Sequence, residues 1–347
     1  MRHRSSCCSL SLFLLFLFLS PRLFAQQPLS EEGFVSINGI EHWVTLSGDP
    51  AKPAIFFLHG GPGSTFSPYA KNVYPGWEKD FLLVQWDQRG AGRTFGRTAP
   101  EELSPVYLRT HRLTLEQMAA DGIALTEYLL KRLGKKKLIL FGTSWGSVLG
   151  VTMAAARPDL YYAWVGHSQV LRLDTDGEIY EQLLQRAQRN GDTSTVRQLA
   201  ELGRPPYARA RTVGALWRIL KKYERASSEP APAHWFTEAA GYAQPKDRQH
   251  REDGDDYSFV NLVGDSVLGV PAMRSGIDFT NTHLGIPVYL IQGEEDIMTP
   301  KERTRAWFDG LRAPAKEFIL LPRSAHGFNE RVVAAQYRVF RSIKTED

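Results

Sequence analysis

Residues 138–150 read LILFGTSWGSVLG and hold Ser144 between two glycines in the pattern G-x-S-x-G. A serine hydroxyl is a weak nucleophile at neutral pH, so attack on a carbonyl needs a base to take its proton and an acid to orient that base. The pentapeptide lies between a short apolar run, KLILF, and the helix-compatible SVLGVTMAAARPD. A turn this tight, from strand to helix, admits only small residues around a projecting hydroxyl. A glycine-lined bend without chemistry is the alternative, and residues elsewhere in the chain must decide between the two.

The partners of such a serine are expected at the carboxyl ends of later strands, acid first and histidine second. IPVYLIQGEED ends in Asp296, and FILLPRSAHGF places His326 in the loop after the next apolar run. Glu294 and Glu295 compete for the acid role, and Asp296 is favoured by its position. Among the other histidines, His42 lies in a hairpin, while His111, His234, His250 and His283 lie in loops or in a later helical region. His167 ends a strand and is the nearest rival base, yet it precedes every candidate acid. A tetrahedral intermediate also needs two backbone N–H donors. Trp145, which follows the serine, supplies one; Gly61 in FFLHGGPGS supplies the other, with Gly60 and Gly63 baring the backbone and Pro62 fixing the bend.

The elements that must position these residues follow from apolar patterning. FVSINGIEHWVTLSG carries Asn38-Gly39 between half-alternating runs, which predicts a tight antiparallel hairpin. The runs at 54–60, 81–87, 137–142 and 162–168 are short and evenly apolar, as strands buried on both faces are. Between the second and third lies TLEQMAADGIALTEYLLKRLG, a predicted helix with a Thr114/Gln117 cap and a closing Gly134. Strand, helix, strand implies a parallel sheet.

After residue 168 helical periodicity takes over for about 115 residues, too long for a loop, and predicts an inserted helical cap over 169–283. Its segment QPKDRQHREDGDDY is dense in both charges and reads as a solvated, mobile loop. It lacks the ligand spacing of a calcium loop, so no metal is expected there. Sheet pattern resumes at 286–293 and 316–322, and a helix closes the chain from about Asn329. The chain therefore divides into a first core part at 26–168, the cap, and a second core part at 284–347.

With 347 residues and 43% hydrophobic content, the chain can bury a large core. Arg2 and Arg4 precede LSLFLLFLFLS, an apolar run too short to span a bilayer, so residues 1–25 read as a secretory signal cleaved after Ala25. That predicts a periplasmic or secreted protein with no stable membrane insertion once the signal is removed. The segment takes three of the 42 basic residues with it, leaving 39 against 38 acidic ones. No polybasic stripe with interleaved aromatics remains, so nucleic acid is not an expected partner. Cys7 and Cys8 leave with the same segment, which excludes disulfides, thiolate metal sites and cysteine nucleophiles from the rest.

HGGPG at 59–63, DQRGAGRT at 87–94 and GTSWGS at 142–147 resemble, in sequence and order, the motifs of the prolyl aminopeptidase (proline iminopeptidase) group of α/β-hydrolases. GEED at 293–296 and SAHG at 324–327 match its acid and histidine loops more loosely, and the resemblance spans roughly 34–168 and 284–345. It implies an α/β-hydrolase fold, a mostly parallel sheet with flanking helices and an inserted helical cap. Ser144 would be the nucleophile, His326 the base, Asp296 its acid, and Gly61 and Trp145 the oxyanion donors, with no cofactor. Asp87 and Arg89 would tie down the loop beside the site. Family aminopeptidases are expected to hold the substrate's amino terminus with acidic cap side chains, for which Glu178, Glu181, Glu224, Glu229 and Glu238 are available. The implied reaction is acyl transfer through Ser144 on a short peptide with N-terminal proline. An esterase or lactonase acting on a small hydrophobic ester, and a non-catalytic binding protein, are the alternatives. Dehalogenases and epoxide hydrolases on this fold would carry aspartate at position 144.

Overall fold

A computed structural model describes residues 28–275, 277, 279 and 283–345. The predicted signal segment lies outside them.

Eight strands form one sheet: β1 (Leu29–Ile37), β2 (Ile40–Gly48), β3 (Ala54–Leu58), β4 (Leu82–Trp86), β5 (Leu138–Thr143), β6 (Tyr161–His167), β7 (Val288–Gly293) and β8 (Lys316–Leu321). Their spatial order is β1-β2-β4-β3-β5-β6-β7-β8. β1 and β2 pair antiparallel, as do β2 and β4; every later pairing is parallel. The predicted hairpin forms at Asn38 (φ 47°) and Gly39 (φ 81°), the two positive angles that match a two-residue turn to strand twist. Every residue of β3, β4 and β5 is buried, because helices cover both faces of the sheet.

The helices that matter for the site are α1 (Gly92–Thr98), α2 (Leu115–Leu133), α3 (Trp145–Ala156), α4 (Asp176–Arg189), α5 (Thr193–Leu202), α6 (Ala210–Ser227), α7 (Pro245–Val263), α8 (Lys301–Gly310) and α9 (Glu330–Ser342). The capping expected for α2 is present: Thr114 Oγ1 accepts the Gln117 N–H at 3.1 Å, and Gly134 (φ 66°) ends the helix. Asn329 caps α9 by accepting from the Val332 N–H at 3.1 Å.

The inserted helical region lies between β6 and β7. α4, α5 and α6 build their own core from Ile179, Leu183, Leu199, Leu216 and Leu220, which explains why this stretch folds into helices instead of trailing as a loop. The charged stretch expected to be a mobile loop is the first part of α7 instead. Pro245 sits in its first turn, and three of its charges are held in pairs: Asp247 accepts from Arg93 Nε at 2.9 Å, and Arg248 and Arg251 both meet Glu238. Its packed face lacks a long apolar stripe because it meets backbone. Gly254 lies against the Gly90 carbonyl, Tyr257 Oη donates to the His111 carbonyl at 2.6 Å, and Asn261 Oδ1 accepts the Leu113 N–H at 3.1 Å.

Candidate active site

Ser144 occupies the turn between β5 and α3 at φ 52°, ψ −121°, a conformation that L residues rarely adopt. Holding it there costs on the order of 1–3 kcal/mol, which the surroundings must offset. They do so through hydrogen bonds: the Ser144 N–H donates to the His167 carbonyl at 3.1 Å, and the Ser144 carbonyl accepts from both the N–H (2.8 Å) and the hydroxyl (2.6 Å) of Ser147. The two glycines of the motif are steric requirements. A Cβ on Gly142 would run into the Gly146 carbonyl, and one on Gly146 would run into the carbonyls of Leu58 and His59 at the end of β3.

The late loops bring His326 and Asp296 to Ser144. His326 Nε2 stands 2.8 Å from Ser144 Oγ, and its Nδ1 stands 3.1 Å from each oxygen of Asp296. This geometry places the imidazole proton on Nδ1, donated to the carboxylate, and leaves Nε2 to accept from the serine hydroxyl. Asp296 is buried and also accepts from the Thr299 N–H (2.7 Å) and hydroxyl (2.6 Å). Burial alone would raise its pKa, but His326 and Thr299 outweigh that and hold the carboxyl below its usual range. Burial works against a charged His326, yet the Asp296 carboxylate, helped by Glu224, carries its pKa above the ordinary histidine value. Of the rival residues, Glu294 pairs with Lys301 at 3.2 Å. His167 is fully buried, with Nδ1 3.0 Å from Thr143 Oγ1, and burial pushes it down to about 3, so it stays neutral.

The glycine loop after β3 runs beside the serine, since a Cβ on Gly60 would lie 3.3 Å from Ser144 Cβ. Gly61 follows at φ 110°, where a side chain would be strained, and Trp145 begins α3 with its N–H at the helix N-terminus. Asp87 braces this loop: it accepts from the hydroxyls of Thr65 and Ser67 (2.7 Å for the latter) and from the Arg93 N–H at 2.9 Å. Arg89 reaches the other way, with Nε 2.6 Å from Asp121 of α2. Asp87 therefore ties down the loop beside Ser144, as the resemblance implies, whereas Arg89 does not and joins its own segment to α2 instead.

One of the five cap glutamates comes to the triad. Glu224 on α6 is 5% exposed, and its Oε1 accepts from the N–H groups of Ile297 (2.8 Å) and Met298 (3.4 Å), the residues directly after Asp296. Burial, and then the charge of Asp296, push its pKa up to about 7. The other four are spent on arginines: Glu178 on Arg172 and Arg303, Glu181 on Arg204, Glu229 on Arg323 and Arg331, and Glu238 on Arg248 and Arg251. Apolar periodicity could place Glu224 on a helix, but not aim it at a loop some seventy residues later.

A nucleophile, base and acid in line, beside a bare glycine loop, form the set that acyl transfer uses. Residues 53–330 match the family model described as alpha/beta hydrolase fold. Over 313 residues the chain is 27% identical to a probable aminopeptidase of Bacillus subtilis, YbaC, covering 84% of this chain and 89% of that one. It is 31% identical over 281 residues to a probable proline iminopeptidase of Streptomyces coelicolor, covering 77% and 81%. Among solved structures, VinJ superposes with a TM-score of 0.61 at 19% identity, covering 91% of this chain and 99% of that one. A proline iminopeptidase of Mycobacterium smegmatis superposes with a TM-score of 0.58 at 16% identity, covering 90% and 96%.

Proposed function

The chain belongs to the α/β hydrolase fold family and is related to the proline iminopeptidases, and from that premise we propose that it is a serine aminopeptidase that releases N-terminal proline from short peptides. The observation that carries the reading is the line from Asp296 through His326 to Ser144 Oγ, with a buried carboxylate from the helical insertion beside it.

In this mechanism His326 Nε2 takes the proton of Ser144 as Oγ attacks the scissile carbonyl, while Asp296 stabilises the imidazolium. The N–H groups of Gly61 and Trp145 receive the charge that develops on the carbonyl oxygen. His326 then returns the proton to the leaving amine, and water attacks the acyl-enzyme with the same histidine as base. Glu224 gives the site its preference for a free amino terminus. Burial has raised its pKa to about 7, and an arriving ammonium favours the ionised form and pairs with it. The aminopeptidase names of YbaC and of the Streptomyces relative support a peptide substrate. Arg2 and Arg4 ahead of the apolar run support action in the periplasm or outside the cell.

The test compares a prolyl arylamide with p-nitrophenyl acetate, using the intact protein and Ser144→Ala. Turnover of the arylamide that disappears with the serine is the expected result. Cleavage of the ester alone would remove the peptidase reading, and full activity in Ser144→Ala would remove the serine mechanism.

A further inference from the structure

Gln88 is completely buried, lies outside the triad, and makes hydrogen bonds to His59, two residues before Gly61, and to Trp145. Its Nε2 donates to the His59 carbonyl at 2.9 Å, its backbone N–H donates to His59 Nε2 at 3.1 Å, and its Oε1 accepts from Trp145 Nε1 at 3.1 Å. Since His59 Nε2 is an acceptor here, the ring proton sits on Nδ1, which donates to the Gly60 carbonyl at 2.8 Å. In a planar trans peptide the carbonyl of residue 60 and the N–H of residue 61 point in opposite directions. Fixing the Gly60 carbonyl therefore fixes the direction of the Gly61 N–H.

We propose that Gln88 is a positioning residue that holds the two oxyanion donors, the N–H groups of Gly61 and Trp145, at a fixed separation. One arm acts through His59 on the glycine loop, and the other acts through the indole on the start of α3. The proposal rests on the reading of Ser144 as nucleophile. Burial pushes His59 down to about 4, which keeps the ring neutral and this single tautomer in place through the working pH range. The glycine loop needs such an anchor because Gly60, Gly61 and Gly63 carry no side chains with which to pack. Preorganised donors stabilise charge in the transition state without reorganising, so loosening them lowers the chemical step and leaves substrate binding alone.

The test uses p-nitrophenyl acetate as substrate and benzeneboronic acid, which becomes tetrahedral on a serine Oγ, as transition-state probe; neither depends on proline specificity. Gln88→Leu keeps the volume and removes the side-chain bonds. It is expected to lower kcat by about tenfold or more, with KM within about twofold, and to raise the boronic acid inhibition constant by the same factor as kcat falls. Trp145→Phe removes the indole N–H together with part of the buried ring, keeps the backbone donor, and is expected to lower kcat and boronic acid affinity together while leaving KM within about twofold. In the double variant the combined loss is smaller than the product of the single losses. If Gln88→Leu does not fold, Trp145→Phe decides. Unchanged kcat and boronic acid affinity in the folded variants, or a loss carried entirely by KM, overturns the proposal. Ser144→Ala separates the two levels: if it is inactive while Gln88→Leu is unchanged, only the positioning role falls, and if it is active, the serine reading falls first.

Discussion

Replacing Glu224 with glutamine removes a charge and keeps the oxygen that Ile297 and Met298 use. Two consequences with opposite sign follow. In the folded protein the carboxyl is raised from 4.5 to about 7, so the folded state holds its proton more tightly than the unfolded chain does. The stability this residue contributes is present below pH 4.5 and is lost as the pH rises through about 7. At about 1.4 kcal/mol per pH unit, that loss is about 3 kcal/mol, and glutamine does not suffer it. Urea unfolding at about pH 4, 6 and 8 should therefore show Glu224→Gln close to wild type in acid and progressively more stable towards alkali. Activity should move the other way. A charged partner for a substrate ammonium contributes about 1.5–3 kcal/mol, so kcat/KM for a prolyl arylamide should fall roughly ten- to hundredfold. Hydrolysis of p-nitrophenyl acetate, which has no amine, should stay within about twofold. Because Glu224 helps to hold the His326 proton, the acid limb of the ester pH profile should shift to lower pH in the variant. Equal losses on arylamide and ester would show that Glu224 only braces the Asp296 loop. A stability difference that does not grow with pH would refute the electrostatic reasoning.

Asp296→Asn should leave the fold intact and lower kcat by about 10⁴, because an amide no longer selects the Nδ1-protonated imidazole; stopped-assay rates with active-site titration measure this. Gly146→Ala should lower stability by about 3 kcal/mol or more in urea unfolding, since its methyl would meet the Leu58 and His59 carbonyls, which the sheet holds in place.

Much of the site was legible because chemistry constrains order along the chain. A nucleophile turn at Ser144, an acid after one late strand and a histidine after the next can be read without coordinates, and the structure brings those three side chains together. The strands were legible because burial on both faces leaves runs with no alternation, as in AIFFL and LLVQW. The first part of α7 was not legible as a helix because it carries no apolar periodicity. Its start is held by ion pairs with Arg93 and Glu238, and its packed face sets Gly254, Ser258 and Asn261 beside Tyr257, with aliphatic side chains only at its end, Leu262 and Val263. The choice of Glu224 among five glutamates depends on how α6 is rotated and where the 297–298 backbone lies, and both are tertiary facts. Gln88 sits in a motif whose aspartate and arginine draw attention first, and its role depends on three partners drawn from separate segments.

The seam between α7 and the core has a bearing on how interchangeable the insertion is. Gly254 of α7 lies against Gly90, while a Cβ on Gly63 would meet the backbone of Gly254 and Asp255, and Ser64 Oγ donates to Asp255 at 2.7 Å. Backbone meets backbone there, so neither side can gain a side chain without the other giving way. The insertion is thus a separable block in the sequence but not on the surface. A helical insertion with a larger residue at the place of Gly254 would press on the Gly90 carbonyl, and α4 and α5 pack through their shared core onto Ile297, beside Asp296. The insertion and the glycine loop are therefore fitted to one another at the level of main chain, and a change on either side of the seam is felt on the other.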